Sequence, residues 1–116
     1  QTPGDFSVLS GDDNLTYPLM ALGGDGVISV ISNYLPGQVT TMVSAVLNKN
    51  FDQAKQLHYE LLPLMRGCFV ETNPIPIKTA LALRGDCEES FRLPMTPMEK
   101  GNRQRWEELL RSHNVL

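Results

Sequence analysis

The first 48 residues of this chain contain no lysine and no arginine. Their only charges are Asp5, Asp12, Asp13 and Asp25, and every basic residue lies from Lys49 onward. The whole chain of 116 residues has a formal net charge of −3. Without a basic patch it offers no surface to a phosphate backbone, so no nucleic-acid partner is expected. Long apolar runs are missing too. None reaches the roughly 18 residues of a membrane span, and no basic leader with an apolar stretch opens the chain. No membrane partner follows, and the expected location is cytoplasmic. Cysteine is limited to Cys68 and Cys87, which form no C-x-x-C pair and have no His/Cys cluster near them. That excludes a zinc site of ordinary spacing, and the rarity of cytosolic disulfides disfavours a bond between the two. An initiating methionine is also absent, since the chain opens Gln-Thr-Pro. This fits a processed or truncated chain.

What is present is enough for one small core. Hydrophobic residues make up 41% of the chain, and a domain of this size buries roughly two-thirds of its unfolded surface. Phe6–Leu9 reads as a short strand closed by Ser10-Gly11-Asp12-Asp13. Asp13 or Asn14 is placed to cap a helix over about 15–22, with Pro18 in its first turn or so and Gly23-Gly24 at its end. Val27–Ile31 is a β-branched run without charge and predicts a strand buried on both faces. Val39, Met42, Val43, Val46 and Leu47 mark one face of a helix over about 38–47.

From Asp52 the pattern is helical. Ala54, Leu57, Leu61, Leu62, Met65, Cys68 and Phe69 form a long apolar stripe, and Pro63 within it predicts a kink. Asn73-Pro74-Ile75-Pro76 interrupts the chain before a short helix over about 77–83. Arg92–Pro97 reads as an extended connector, in which Thr96, Pro97 and Glu99 supply a cap, a first-turn proline and an acid for a last helix carrying Trp106, Leu109 and Leu110 inward. The order strand, helix, strand, helix suits right-handed βαβ packing. Two parallel strands do not make a stable sheet alone. The missing neighbours belong either to chain upstream or to another copy.

Few residues are candidates for chemistry. Ser10–Asp13 lies at the C-terminal end of a strand, where parallel α/β folds collect their binding groups; turn and capping chemistry accounts for the same four residues. Gly23-Gly24-Asp25-Gly26 precedes a strand rather than a helix and reads as a helix stop plus turn, not a phosphate cradle. His58 sits on the apolar stripe and reads as a packing residue. His113 lies in the last turn of a helix, where a cation suits the dipole. Lys78 is the only lysine among apolar residues, but it opens a helix, where it can reach solvent. No cofactor is implied.

Four segments in order resemble the dihydrodipicolinate synthase family: Leu9–Asp13, Leu22–Val30, Asn73–Lys78 and Arg92–Pro97. Each is weak alone, and together they span nearly the whole chain. The resemblance implies an α/β fold, the last two βα units of a TIM (β/α)8 barrel plus a C-terminal helical extension. Residues 1–48 are then the end of the barrel, strands 7 and 8 with their helices, and residues 49–116 the extension. The family condenses pyruvate with L-aspartate 4-semialdehyde through a Schiff base, in lysine biosynthesis. Its lysine on strand 6 and its tyrosines have no counterpart at Lys78, Tyr17, Tyr34 or Tyr59, so no catalytic residue is expected in this chain and the chain alone is expected to be inactive. Ile28 matches the position whose backbone carbonyl lies beside bound pyruvate. Gly11 and Asp12 match the loop at the active-site mouth. Asp25 stands where relatives often have His. The parent family is generally tetrameric, which implies a homo-oligomer. Two other readings remain open at this point: another pyruvate-dependent aldolase of the sialic-acid lyase type, and a noncatalytic helical interaction module.

Overall fold

The structure, a computed structural model, describes residues 3–116. Two short strands are paired in parallel, β1 (Leu9–Ser10) and β2 (Gly26–Val27), with Leu9 opposite Gly26 and Ser10 opposite Val27. Both are shorter than their sequence patterns imply. The 6–9 run contributes only its last residue, and the 27–31 run only its first. Ile31–Asn33 forms a 3-10 turn instead, and Ile28 is 69% exposed rather than buried on both faces. A β-branched run states that a segment can be extended; ladder partners decide how much of it is a strand. Here β1 and β2 have only each other among the described residues.

Between the strands, a 3-10 turn at Asp13–Leu15 leads into helix α1 (Thr16–Ala21). Neither Asp13 nor Asn14, the expected caps, caps α1, which has no side-chain cap; Asp12 caps the 3-10 turn before it, its carboxylate accepting from Asn14 N–H at 3.4 Å. Gly23 adopts φ +104°, a left-handed conformation that glycine tolerates without penalty, and so ends the helix where the sequence placed its stop. Helix α2 (Pro36–Leu47) begins two residues before the expected Gln38, because Pro36 suits a first turn that lacks N–H partners. Its Val39, Met42 and Val46 are buried and Val43 is partly so, while Leu47 is 60% exposed at the C-terminus.

Helix α3 (Phe51–Gly67) contains Pro63 and runs on through it. The chain divides into two compact units, with the boundary between Leu61 and Leu62 inside α3. In the first unit Met20, Ala45, Val46 and Ala54 form a buried cluster, with Tyr17 and Val43 packed on it. Ala54 thus ties the start of α3 to α1 and α2.

The second unit contains α4 (Ile75–Arg84) and α5 (Lys100–Ser112). Helix α4 begins two residues before the expected Ile77, since Pro76 is tolerated in its first turn. Helix α5 begins later than Thr96 and Pro97 imply. Glu99 is its cap, and the carboxylate accepts from Asn102 N–H at 3.2 Å. Glu71 explains the shift, because its carboxylate accepts from both Glu99 N–H (3.0 Å) and Asn102 Nδ2 (2.9 Å) and so fixes the helix start from a distant residue. Trp106 is buried and donates its indole N–H to the Pro76 carbonyl at 2.8 Å, joining α5 to α4. Gly67 lets that ring approach, since a Cβ there would lie 2.1 Å from Trp106 Cζ3. Arg103 bridges Glu89 at 2.8 Å and Glu107 at 3.6 Å.

Candidate functional site

The C-terminal ends of β1 and β2 lie side by side because the strands are parallel, and they bring together Gly11 and Asp12 after β1 and Ile28 after β2. The ladder continues one bond beyond the paired residues, with Ile28 N–H donating to the Ser10 carbonyl at 2.9 Å. Next to it, Asp12 N–H donates to Ser10 Oγ at 3.2 Å, and Ser10 Oγ donates to the Asp12 carbonyl at 2.7 Å. No hydrogen bond from the described residues ends on the Ile28 carbonyl. It is a backbone acceptor at a strand end with its capacity unused, on a residue that is largely exposed.

Asp13 holds the next segment. Its Oδ2 accepts from both Val30 N–H (2.8 Å) and Ile31 N–H (3.0 Å), across the gap between the two strand ends. The residue is 1% exposed, and Oδ1 is buried with no partner among the described residues. The sequence offered Asp13 as a helix cap; its real position is a clamp on the turn that follows Ile28. Nothing in an Asp-Asp pair says which member caps and which is buried. At the opposite end of the strands Asp25 does similar work, with its carboxylate accepting from Val8 N–H at 2.7 Å and its own N–H donating to the Val8 carbonyl at 2.8 Å.

The other candidates are structural. His58 is buried between aromatic neighbours, 5.6 Å from the Tyr17 ring and 5.4 Å from that of Tyr59. His113 Nδ1 lies 2.9 Å from the Leu109 carbonyl in the last turn of α5. Lys78 Nζ donates to the Ser90 carbonyl and sits 5.2 Å from the centre of the Phe91 ring, so its amine is engaged. Cys68 is buried and Cys87 exposed, and no disulfide joins them. No cluster of three or more metal-ligating side chains occurs among the described residues, and no helix of the described residues is long and apolar enough to cross a membrane. An open groove of about 420 Å³ runs between β2 and α2, with Val27, Ser29 and Val39 among its walls. Gly11, Asp12 and Ile28 do not line it.

A family model described as the dihydrodipicolinate synthetase family matches residues 1–113. The chain belongs to that family. A 4-hydroxy-tetrahydrodipicolinate synthase of Aquifex aeolicus is 49% identical over 110 residues, covering 95% of this chain and 37% of the relative. The synthase of Koribacter versatilis is 47% identical over the full 116 residues, 39% of its own length. The crystal structure of the Aquifex aeolicus synthase superposes with a TM-score of 0.96 at 48% identity, covering 97% of this chain and 39% of that one. A synthase from Acinetobacter baumannii, solved in complex with pyruvate, gives a TM-score of 0.93 at 35% identity, again over 97% of this chain and 39% of its own. The chain therefore spans well under half the length of the family members it matches. Its fold is the last two βα units of the family's TIM barrel followed by the C-terminal helical extension, mostly helical with two short parallel strands. The lone pair of strands is thereby explained, because in the family they are neighbours within a closed barrel.

Proposed function

We propose that this chain is the C-terminal part of a lyase that condenses pyruvate with L-aspartate 4-semialdehyde through a Schiff base, in lysine biosynthesis. Residues 1–48 close the barrel and residues 49–116 form the extension. The compact units divide later, after Leu61, because Ala54 packs with Met20, Ala45 and Val46. Ile28 contributes its backbone carbonyl beside bound pyruvate, and Gly11 and Asp12 stand at the active-site mouth. The Schiff-base lysine and the proton-relaying tyrosines lie on earlier strands of the barrel, so the chain alone does not catalyse. The whole protein works in the cytoplasm as a homo-oligomer, without a cofactor.

The observation that carries this reading is the unused carbonyl of Ile28 at the C-terminal ends of parallel strands, where barrel enzymes place their active sites. The chemistry also fits. A carbonyl oxygen repels a carboxylate and attracts the electron-poor part of a keto acid, its iminium nitrogen or its methyl hydrogens. It therefore orients pyruvate with the carboxylate turned away.

The test uses a chimera in which this chain replaces the matching segment of the Aquifex aeolicus synthase. Ile28→Val keeps the backbone and, at a residue that is largely exposed, should change stability by no more than about 0.5 kcal/mol, with little effect on turnover. Ile28→Pro removes the N–H that bonds Ser10 and misplaces the carbonyl, so activity should collapse. Equal activity of the two variants would count against the role. The isolated chain, treated with pyruvate and borohydride, should gain no mass, and a stable adduct on Lys78 would overturn the claim that it carries no catalytic lysine.

A further inference from the structure

A parallel ladder alternates regularly: the residue two beyond an acceptor donates back to the residue it accepted from. β1 and β2 pair Ser10 with Val27, and Ile28 N–H donates to the Ser10 carbonyl. The next rung in this register runs from Asp12 N–H to the Ile28 carbonyl. It is not formed. Asp12 N–H is captured by Ser10 Oγ at 3.2 Å, and the same hydroxyl spends its proton on the Asp12 carbonyl at 2.7 Å. Leu15 N–H and Thr16 Oγ1 also donate to that carbonyl, at 3.1 and 3.3 Å, while the Asp12 N–H itself is engaged by the Ser10 hydroxyl. Ser10 is 1% exposed, so bulk water does not compete for its hydroxyl.

We infer that Ser10 is a positioning residue for the keto-acid pocket: its hydroxyl takes the Asp12 amide out of the ladder and leaves the Ile28 carbonyl free for bound substrate. This rests on the reading of Ile28 given above. A serine at the last residue of a strand is ordinarily a turn former. Here the amide it captures is the one that would otherwise occupy the acceptor the site needs. Without the hydroxyl, Asp12 N–H loses its acceptor, and the Ile28 carbonyl is the acceptor that the ladder register assigns to it, so the two should pair.

The test is Ser10→Ala in the full-length chimera, read by crystal structure and by steady-state kinetics. The Asp12 nitrogen should move to about 3 Å from the Ile28 oxygen. KM for pyruvate should rise about three- to tenfold, the scale of one neutral hydrogen bond, with kcat changed by less than about twofold. Ser10→Thr retains the hydroxyl and should restore KM; a merely structural role would not be rescued in KM alone. If Ser10→Ala does not fold, Ser10→Cys fills the position with a weak acceptor and gives the same comparison. An Asp12 amide that stays away from the Ile28 carbonyl in the variant overturns the inference about Ser10, whatever the kinetics. A bond that forms while KM does not move overturns the reading of Ile28, and the role of Ser10 falls with it.

Discussion

Replacing Asp13 by alanine should release the turn that follows Ile28. The carboxylate accepts from Val30 N–H at 2.8 Å and from Ile31 N–H at 3.0 Å, and Ile31 is fully buried. Each buried donor left without a partner costs about 1–3 kcal/mol. Two such donors set an upper range of about 2–6 kcal/mol. Two features pull the value down. Val30 is only partly buried, so water can reach its N–H. Oδ1 is buried with no partner among the described residues, and the substitution removes that unfavourable group. A loss of about 2–4 kcal/mol remains.

Because both bonds end on the same oxygen, Asp13→Asn can keep them with its amide oxygen, and its cost should be about 1–2 kcal/mol, mainly for the NH2 group now buried in place of Oδ1. The assay is amide hydrogen exchange at single residues, which reads local opening. Asp13→Ala should speed exchange at Val30 and Ile31 at least about tenfold, while Asn102 and Arg103 in α5 stay unchanged; the Asn variant should fall between. Unchanged protection at Val30 and Ile31 in the alanine variant would refute the clamp. Equal acceleration everywhere would show a global effect instead of a local one.

The second unit makes its own prediction at Gly67. A methyl group there meets Trp106 Cζ3 at 2.1 Å and Cε3 at 2.7 Å, so Gly67→Ala should destabilise by about 1–3 kcal/mol and alter the emission of the only tryptophan; an unchanged thermal midpoint would mean that the ring has room to shift. The isolated chain should also self-associate at micromolar concentration, since Phe6, Leu9 and Ile28 are 61%, 45% and 69% exposed around a two-stranded sheet with open edges. Sedimentation equilibrium checks this, and a folded monomer across the range would show that the edges need no cover.

The helical parts were legible because burial of an apolar face repeats with the helix period. Val39, Met42 and Val46 lie inward as their spacing implied, and so do Trp106 and Leu110. Boundaries were less legible wherever a distant residue sets them. Thr96 and Pro97 form a good local start signal, yet α5 begins at Lys100, because Glu71 binds the Glu99 and Asn102 donors. The strand over 27–31 failed for a related reason. Its composition permits extension, but Asp13 draws the amides of Val30 and Ile31 into a turn.

At the candidate site, the sequence alone determined the order of motifs, the membership they imply, and the placing of Gly11 and Asp12 at the end of one strand and of Ile28 within the next. Local spacing and residue type suffice for that, since a parallel βαβ unit brings both strand ends to one edge. Only the tertiary structure decided which groups there are free and which are engaged. The unused Ile28 carbonyl, the Ser10 hydroxyl beside it and the buried Asp13 carboxylate owe their states to hydrogen bonds between residues as many as 18 positions apart. A backbone carbonyl has no letter in a sequence, and its availability depends on which donor the folded chain brings to it.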